Sequence, residues 1–338
     1  MQPRTSCWLT LVPSGSLIFE ASLTPANPQD VNGCSPDDKD FDPSNIRIPE
    51  AGFQQLTEAK KQYWSIKRKH FDKIIFYQQG DFFNIFEHDA DLGHRLFGLQ
   101  YNPKLRSVGV NRSHYDRWAQ KFVAAGYKVM RIEQATTAVT NTAKAAKKNA
   151  GKKTEDRRVG QVLTAGTLTD DKLIKDYLPA WLLLFIEEEN KQASTVDIGF
   201  CLVDVSTSLW MLGHFNDDEH LSSFETLLSQ TRPKEILHLP GATRSRAWKV
   251  IRRTLGSAGY QRSTIHEYAS SDYAHELLSK KYSQERPEAF AAFKGSSTLA
   301  AWASVVEYLG SAGIELHRLE GSTVLNYNSL QAEGILTL

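Results

Sequence analysis

The sequence is poor in cysteine and has no long apolar run. Its three cysteines, Cys7, Cys34 and Cys201, are scattered without CxxC spacing, a pattern that argues against a disulfide framework and fits a reducing compartment. The longest apolar candidate, residues 181–186, is far shorter than the roughly 18–20 residues of a membrane-spanning helix. The N-terminus has no basic region followed by an apolar core, so we expect neither a secretory signal nor a membrane partner.

Motifs for metal binding and nucleotide binding are also missing. The ten histidines show neither HxxxH nor HExxH spacing, so we expect no metal site. No GxxxxGKS or GxxxxGKT phosphate loop occurs, and Gly310, Gly313 and Gly321 do not approximate one. The sequence therefore predicts a chain that is not an enzyme, with no catalytic residues and no cofactor of its own.

Positive charge is not in excess over negative charge. The formal net charge is +1 at pH 7, so any contact with nucleic acid would come from local clusters. One such cluster lies within residues 135–158, and a solvated surface segment and a phosphate-contacting segment are equally supported interpretations of it. The candidate phosphate contacts are Lys144, Lys147, Lys148, Lys152, Lys153, Arg157 and Arg158.

What the sequence does contain is enough apolar material for about two folded domains of α/β (α+β) class. Residues 1–45 lack periodicity and are expected to be disordered. Residues 46–160 alternate between helical and strand patterns, which predicts one mixed sheet; within them Ser113 predicts the N-cap of a helix. Residues 161–312 show three antiparallel strands followed by βα units, the order of an RNase-H-like sheet. Residues 313–338 are expected to begin a further region that is cut short.

The turn at Gly80 leads into a strand that is rich in aromatic residues, residues 81–86. Because side chains alternate along a strand, Phe82 and Asn84 face one way and Phe83 faces the other. A strand that is buried on both faces is the ordinary interpretation of such a pattern.

Six stretches, in a constant order, resemble signatures of the MutS family of mismatch-repair proteins. In sequence letters they are GDFFN at 80–84, which corresponds to the family's GxFYE, VGV at 108–110, which corresponds to its GVP, and GYKVMRIEQ at 126–134, VLTAGTLTD at 162–170, VDVSTS at 203–208 and RPKEIL at 232–237. Two further stretches, FDP at 41–43 and QYWSIK at 62–67, resemble the mismatch-reading subunit of the eukaryotic MutSα heterodimer. Six ordered signatures are much more specific than any one of them.

The resemblance implies a mismatch-binding domain followed by a connector domain. It implies that Phe82 is exposed, enters the minor groove and stacks on a mispaired base, with Asn84 two residues later and Gln79, Gly80 and Asp81 at the adjoining turn. The implied partners are double-stranded DNA with mispairs or small loops and a second MutS-family subunit, in the nucleus. ATP and magnesium serve an ATPase in full-length members of the family, for which this chain has no motif.

The sequence departs from the family pattern at four positions. Asn84 replaces a Glu that hydrogen-bonds the displaced base, and an amide both donates and accepts without taking up a proton. Asp81 stands where many eukaryotic relatives have Lys, and a negative charge there weakens the attraction of phosphates. Asn111 replaces the Pro of GVP, and Ser208 replaces a Gly of the connector turn. These changes bear on discrimination between mispairs rather than on the fold.

Two other functions remain open from the sequence. Asp197 and Asp204, on strands of an RNase-H-like sheet, suggest a two-metal nuclease, although no third carboxylate is placed to complete a site. Alternatively, the chain is an interaction fragment whose connector binds partner proteins and whose first domain no longer recognises DNA.

Overall fold

The computed structural model describes residues 29–35, 38, 41–134, 157–167, 179–190, 195–256, 259–278, 297–314 and 323–327. These residues fall into two compact units, the first ending at Leu163 and the second beginning at Thr164. Each unit is built around its own six-stranded sheet with helices packed on it. The predicted mixed α/β fold class is thereby confirmed. Among the described residues, no helix is both long enough and apolar enough to cross a membrane.

The first unit has a mixed sheet with the strand order β3-β4-β2-β1-β5-β6. Its helices are α1 (Glu50–Gln54), α2 (Glu58–Lys67), α3 (Glu87–Phe97) and α4 (Tyr115–Ala124). Its strands are β1 (Lys73–Gln79), β2 (Phe82–Phe86), β3 (Tyr101–Asn102), β4 (Ser107–Asn111), β5 (Lys128–Gln134) and β6 (Arg157–Leu163). Neighbouring strands are antiparallel except β1 and β5, which run parallel.

The two faces of this sheet are covered to different extents. On one face Phe76 packs edge-on against Phe83 and against Phe122 of α4, with ring centroids 6.4 and 5.8 Å away. On the other face Tyr63 of α2 packs against Tyr77 and Phe86, at 5.8 and 5.2 Å. Burial of such side chains contributes about 1.5–3 kcal/mol each. On the second face, the contacts of Tyr63 show that helix α2 covers the sheet at the level of Tyr77 and Phe86.

A buried ion pair fixes the position of α2. The Lys67 ammonium donates to both carboxylate oxygens of Asp89, at 2.9 and 2.8 Å, and to the carbonyl of Lys73 at 2.7 Å. The Ile75 backbone N–H donates to Asp89 at 3.1 Å. Removing one partner of such a buried pair leaves an uncompensated charge and costs about 3–5 kcal/mol. The pair ties the end of α2 to α3 and β1.

The second unit has the strand order β11-β10-β7-β8-β9-β12. Its strands are β7 (Leu182–Asn190), β8 (Thr195–Asp204), β9 (Leu209–Asp217), β10 (Glu235–His238), β11 (Gln261–Thr264) and β12 (Thr323–Asn326). Among the described residues of this unit the helices are α5 (Ser222–Thr231), α6 (Arg246–Leu255), α7 (Ser271–Leu277) and α8 (Ser297–Ser311).

Strands β7, β8 and β9 form an antiparallel meander, and β10 and β11 add in parallel beside β7. This is the predicted RNase-H-like order, with β12 added in parallel at the edge of β9. Phe185 packs against Phe224 of α5 and Trp248 of α6, with centroids 4.9 and 6.3 Å away. Gly199 lets the start of α8 approach the sheet, because a Cβ there would lie 2.4 Å from the backbone nitrogen of Thr298.

Two of the signature stretches meet at the buried carboxylate of Glu235. It accepts hydrogen bonds from the Tyr308 hydroxyl at 2.7 Å and the Gly166 backbone N–H at 3.0 Å, and also from the hydroxyls of Thr164 and Ser263. A buried carboxylate needs such donors, because transfer from water without them is costly. Glu235 thus anchors the TAGT turn at residues 164–167 to the start of strand β10 in the second sheet.

The structure differs from the sequence-based expectation before Ile46. Asp30 is fully buried, and its carboxylate accepts hydrogen bonds from the backbone N–H groups of Asn32, Cys34 and Asp42 at 2.9, 2.8 and 3.0 Å. The described residues between 29 and 45 are therefore held by a polar centre. Hydrophobic periodicity does not reveal order of this kind.

Strand β6 is absent from the sequence-based prediction. From the sequence, the first residues of this strand belong to a basic segment, and a domain boundary is expected at residue 160. In the structure the strand instead pairs with β5 at the edge of the first sheet, Arg157 with Gln134 and Leu163 with Val129. The register shifts between Arg131 and Ile132. A bulged edge strand shows no clean alternation in sequence, so only its pairing with β5 reveals it.

The predicted N-cap at Ser113 is wrong. The N-cap position of α4 is His114, which makes no side-chain cap hydrogen bond. Asn111 caps the 3-10 turn before it: its Oδ1 accepts hydrogen bonds from the Ser113 N–H at 3.0 Å and the Ser113 hydroxyl at 2.7 Å. This 3-10 turn spans Arg112–His114, and α4 begins only at Tyr115. Asn and Ser both favour N-caps, so their order along the chain does not decide which of them is used.

Candidate nucleic-acid interface

A tight hairpin between β1 and β2 presents the residues that the sequence singled out. Gln79 pairs with Phe82, so that Gly80 and Asp81 form a two-residue turn. Gly80 has a φ of 61°, which suits the first central position of such a turn and strains residues with a side chain. Its N–H donates to the Gln134 side chain at 3.2 Å, which attaches the turn to β5.

Phe82 lies exposed at the start of β2. It is 49% exposed, whereas the next residue, Phe83, is 2% exposed in the core. This confirms the predicted exposure and excludes the interpretation that the strand is buried on both faces. Full burial of a Phe contributes about 1.5–3 kcal/mol, and Phe82 forgoes part of this, so burial alone does not account for a Phe at this position.

The absence of a side chain at Gly109 keeps this end of the face open. Gly109 pairs with Asn84 on the neighbouring strand β4. A Cβ at Gly109 would lie 3.4 Å from Asn84 Oδ1 and 3.9 Å from Phe82 Cδ1. A larger side chain would therefore cover both residues. We call Phe82, Asn84 and Gly109 the open face of the hairpin.

The side chain of Asn84 is oriented by a neighbour on β1. Asn84 Nδ2 donates a hydrogen bond to Gln79 Oε1 at 2.6 Å. Its Oδ1 lies beside Gly109 on the open face. Asn84 thus offers its Oδ1 as an acceptor on that face while one of its two N–H donors is engaged with Gln79.

Two further polar side chains, which sequence reasoning did not single out, lie beside the hairpin. Arg112 and His114 are exposed on the 3-10 turn that follows β4. The Arg112 N–H donates to the Asp81 carbonyl at 2.9 Å, which places this turn beside the hairpin turn. The signal available in the sequence was the RSH triplet next to the GVP-like stretch, but only the β2–β4 pairing brings it to Phe82.

The predicted phosphate contacts divide into two groups. Arg157 lies 4.5 Å over the ring of Tyr77 and donates to the Gln78 carbonyl, and Arg158 pairs with Glu133 at 3.2 Å. These two arginines therefore have partners within the protein. The other five, Lys144, Lys147, Lys148, Lys152 and Lys153, lie outside the described residues.

The two aspartates of the nuclease alternative lie far apart. Asp197 and Asp204 are seven residues apart on β8, about 23 Å at roughly 3.3 Å per residue. Asp204 accepts hydrogen bonds from the turn residues Ser206 and Thr207, and Asp197 accepts one from Asn216 at 2.8 Å. They cannot share a pair of metal ions, and within the described ranges no group of three or more His, Cys, Asp or Glu could hold a metal.

Comparison with known proteins agrees with the two-unit fold. The sequence-family model of MutS domain I matches residues 57–172, and the sequence-family model of MutS domain II matches residues 186–316. The DNA mismatch repair protein MSH7 of Arabidopsis thaliana is 30% identical over 314 residues, which cover 91% of this chain and 27% of that protein. MSH6 of the same plant is 32% identical over 207 residues, 60% of this chain and 16% of that protein.

Human Msh6 is 30% identical over 262 residues, 74% of this chain and 19% of that protein. The chain therefore spans no more than about a quarter of the length of these curated relatives, 27% at most.

Proposed function

Since the chain belongs to the MutS family of DNA mismatch repair proteins, of which it carries domains I and II, we propose that it binds mispaired double-stranded DNA through the open face of its first hairpin. The observation that carries this proposal is the exposure of Phe82, 49%, at the rigid end of a strand whose next residue is buried. A large apolar side chain held in this way is a suitable wedge for a weakened base stack.

Phe82 acts by insertion from the minor groove. Separation of two base pairs costs a few kcal/mol, and less where a mispair already weakens the stack. Stacking of an aromatic ring on a base returns about 1–3 kcal/mol. The difference in insertion cost between paired and mispaired steps is what selects the mispair. The two-residue turn and the β4 pairing hold the backbone of Phe82 in place, so little backbone entropy is lost on binding.

Asn84, Arg112 and His114 complete the proposed interface. Asn84 Oδ1 accepts a hydrogen bond from the displaced base, the task that a carboxylate has in the family pattern. Arg112 and His114 contact the DNA phosphates beside the step into which Phe82 inserts. The negative charge of Asp81 weakens the attraction of those phosphates. Lys144, Lys147, Lys148, Lys152 and Lys153 remain candidates for further phosphate contacts.

The wider setting follows the relatives, whose names identify them as mismatch repair proteins. We infer duplex DNA with mispairs or small loops as ligand, a second MutS-family subunit as partner and the nucleus as location. We assign no catalytic residue, metal or cofactor to domains I and II.

The decisive experiment compares the affinity of the chain for two duplexes that differ only by one mispair. Tighter binding of the mispaired duplex supports the proposal. Equal affinity would instead favour the interaction-fragment alternative, in which the first domain no longer recognises DNA. Incubation with magnesium in the same assay tests the nuclease alternative, which requires cleavage.

A further inference from the structure

The second unit contains a long stretch of sequence without a single acidic residue. Residues 236–266 include no Asp or Glu, although Lys and Arg exceed Asp and Glu by only 40 to 39 in the whole chain. The cations of this stretch are Arg244, Arg246, Lys249, Arg252, Arg253 and Arg262. Four of the six lie on α6.

The cations of α6 form its whole outward face. Between residues 246 and 253 the exposed positions are those of Arg246, Lys249, Arg252 and Arg253. The remaining four positions are buried against the sheet: Ala247, Trp248, Val250 and Ile251. We call the four exposed cations the basic face of α6.

Folding gives little reason for so many like charges on one helix. Like charges three and four residues apart on a helix repel each other. Arg246 lies in the first turn, where the helix dipole disfavours a cation, and that turn carries no acidic residue. Arg253 has a structural role, since its guanidinium donates to both carboxylate oxygens of Glu225 on α5, at 3.2 and 2.6 Å. Arg252 donates to the Thr243 carbonyl at 2.9 Å, a contact that needs a donor but not a positive charge. What needs an explanation is the concentration of positive charge on this face rather than any one residue.

We propose that the basic face of α6 is a second DNA-contacting surface, which binds the phosphate backbone of duplex DNA without regard to sequence or pairing. At about 1.5 Å rise per residue, Arg246 and Arg253 are about 10 Å apart along the axis. A DNA strand presents a phosphate every ~3.4 Å along its axis, so the face can meet about three of them. Arginine side chains suit such contacts because their guanidinium groups bind phosphate oxygens in pairs.

The composition of the face favours DNA over an acidic polypeptide. Protein interfaces need apolar or aromatic anchors at their centre, and the exposed positions of α6 from 246 to 253 offer none. Phosphate binding needs only positive charge and the release of counterions. The inference rests on the proposed action of the chain on DNA, but not on recognition of mispairs by Phe82.

The test measures the affinity of the full chain for a fully paired duplex over a series of salt concentrations. The variant R246Q/K249Q/R252Q removes three charges and spares Arg253, and Gln is a good helix former. The matched control R246K/R252K keeps the charge. We expect the slope of log affinity against log salt to lose about 0.9 for each phosphate contact removed, so about 2–3 in the triple variant. The control should keep most of the slope.

Single variants guard against misfolding of the triple variant. K249Q alone should lower the slope by about 0.9, with the circular dichroism spectrum and melting temperature unchanged. An unchanged slope in folded variants would overturn the inference. Polyglutamate serves as the probe for an acidic polypeptide, and variants that lose binding to polyglutamate but keep the salt slope for DNA would also overturn it. If the unaltered chain shows no preference for mispairs and the triple variant still lowers the slope, the proposed function has failed and this inference stands.

Discussion

Asn84 Nδ2 donates a hydrogen bond to Gln79 Oε1 at 2.6 Å, across the antiparallel pair that carries the hairpin turn. The bond holds the amide of Asn84 in one orientation, with Oδ1 toward Gly109 and the open face. Gln79 is therefore a positioning residue for the base contact that we propose for Asn84.

Replacement of Gln79 by Ala should weaken discrimination between mispairs without loss of the fold. A hydrogen bond of this kind contributes about 0.5–1.5 kcal/mol, so we expect a loss of about two- to tenfold in affinity for the preferred mispair. Gln79→Glu keeps an acceptor for Asn84 Nδ2 and should preserve the orientation. In a double-mutant cycle the effects of Gln79→Ala and Asn84→Ala should not add. Additive effects would show that Gln79 does not act through Asn84.

Replacement of Phe82 by Ala should reduce affinity for mispaired duplex by about ten- to a hundredfold, because stacking of about 1–3 kcal/mol is lost. Affinity for paired duplex should fall much less, since it rests on phosphate contacts. Leu105, which is 60% exposed in the same unit, provides the control: Leu105→Ala should change neither affinity. Urea unfolding should show little change for either variant, and an unfolded Phe82→Ala chain would refute the assignment of Phe82 as an exposed wedge.

Replacement of Asn84 by Glu should make mispair binding depend on pH. The phosphates of bound DNA raise the pKa of a nearby carboxyl group. The protonated form still accepts from the base through its carbonyl oxygen and is not repelled by the phosphates. Binding therefore takes up a proton, and affinity rises as the pH falls. The measurement is the mispair affinity of Asn84→Glu and of the unaltered chain over the same pH series. Parallel profiles for the two proteins would contradict the proposed contact between residue 84 and the base.

Asp72 should contribute to stability in a pH-dependent way. Burial by itself raises the pKa of this carboxyl group, but the ammonium groups of Lys128 and Lys73, each 2.8 Å away, hold the pKa well below its usual range. Because the folded pKa is depressed, the stabilisation is complete above the unfolded value of about 3.9. It is lost as the pH falls below that value toward the folded pKa.

Urea unfolding of Asp72→Asn over a pH series checks this prediction. The variant should be less stable than the unaltered chain at neutral pH, and the difference should shrink as the pH falls below about 4. Asp116, an exposed residue of α4, provides the control, since Asp116→Asn should leave the profile unchanged. A difference that is constant with pH would show that Asp72 does not stabilise the fold through its charge.

The sequence predicts most of the secondary structure because local pattern and local structure coincide there. Strands β7, β8 and β9 are long runs of apolar residues, and their order with β10 indicates the correct sheet. Errors arise where a distant partner decides the structure. Strand β6 exists through its pairing with β5, and the residues before Ile46 are held by the carboxylate of Asp30.

The prediction of the candidate site is similarly divided. The alternation of β2 and the resemblance to the MutS signature are sufficient to identify Phe82 and Asn84. The resemblance also implies that Phe82 is exposed. The structural cause of that exposure is that α2 packs over Tyr77 and Phe86 but not over Phe82, and that the neighbouring strand has Gly109 at this level. Arg112 is missed because it is thirty residues away in sequence, and the β2–β4 register alone brings it to the hairpin.

The sequence by itself determined the family, the order of the two domains and which aromatic residue is the candidate for the wedge, because these properties lie in short stretches with fixed spacing. Tertiary structure alone decided which groups those stretches present to a ligand. It engages Arg157 with Tyr77, turns the acceptor of Asn84 outward through Gln79, and collects the cations of α6 on one surface. The reason is physical: solvent exposure and hydrogen-bond partners depend on contacts between residues far apart in the chain, which no local pattern encodes.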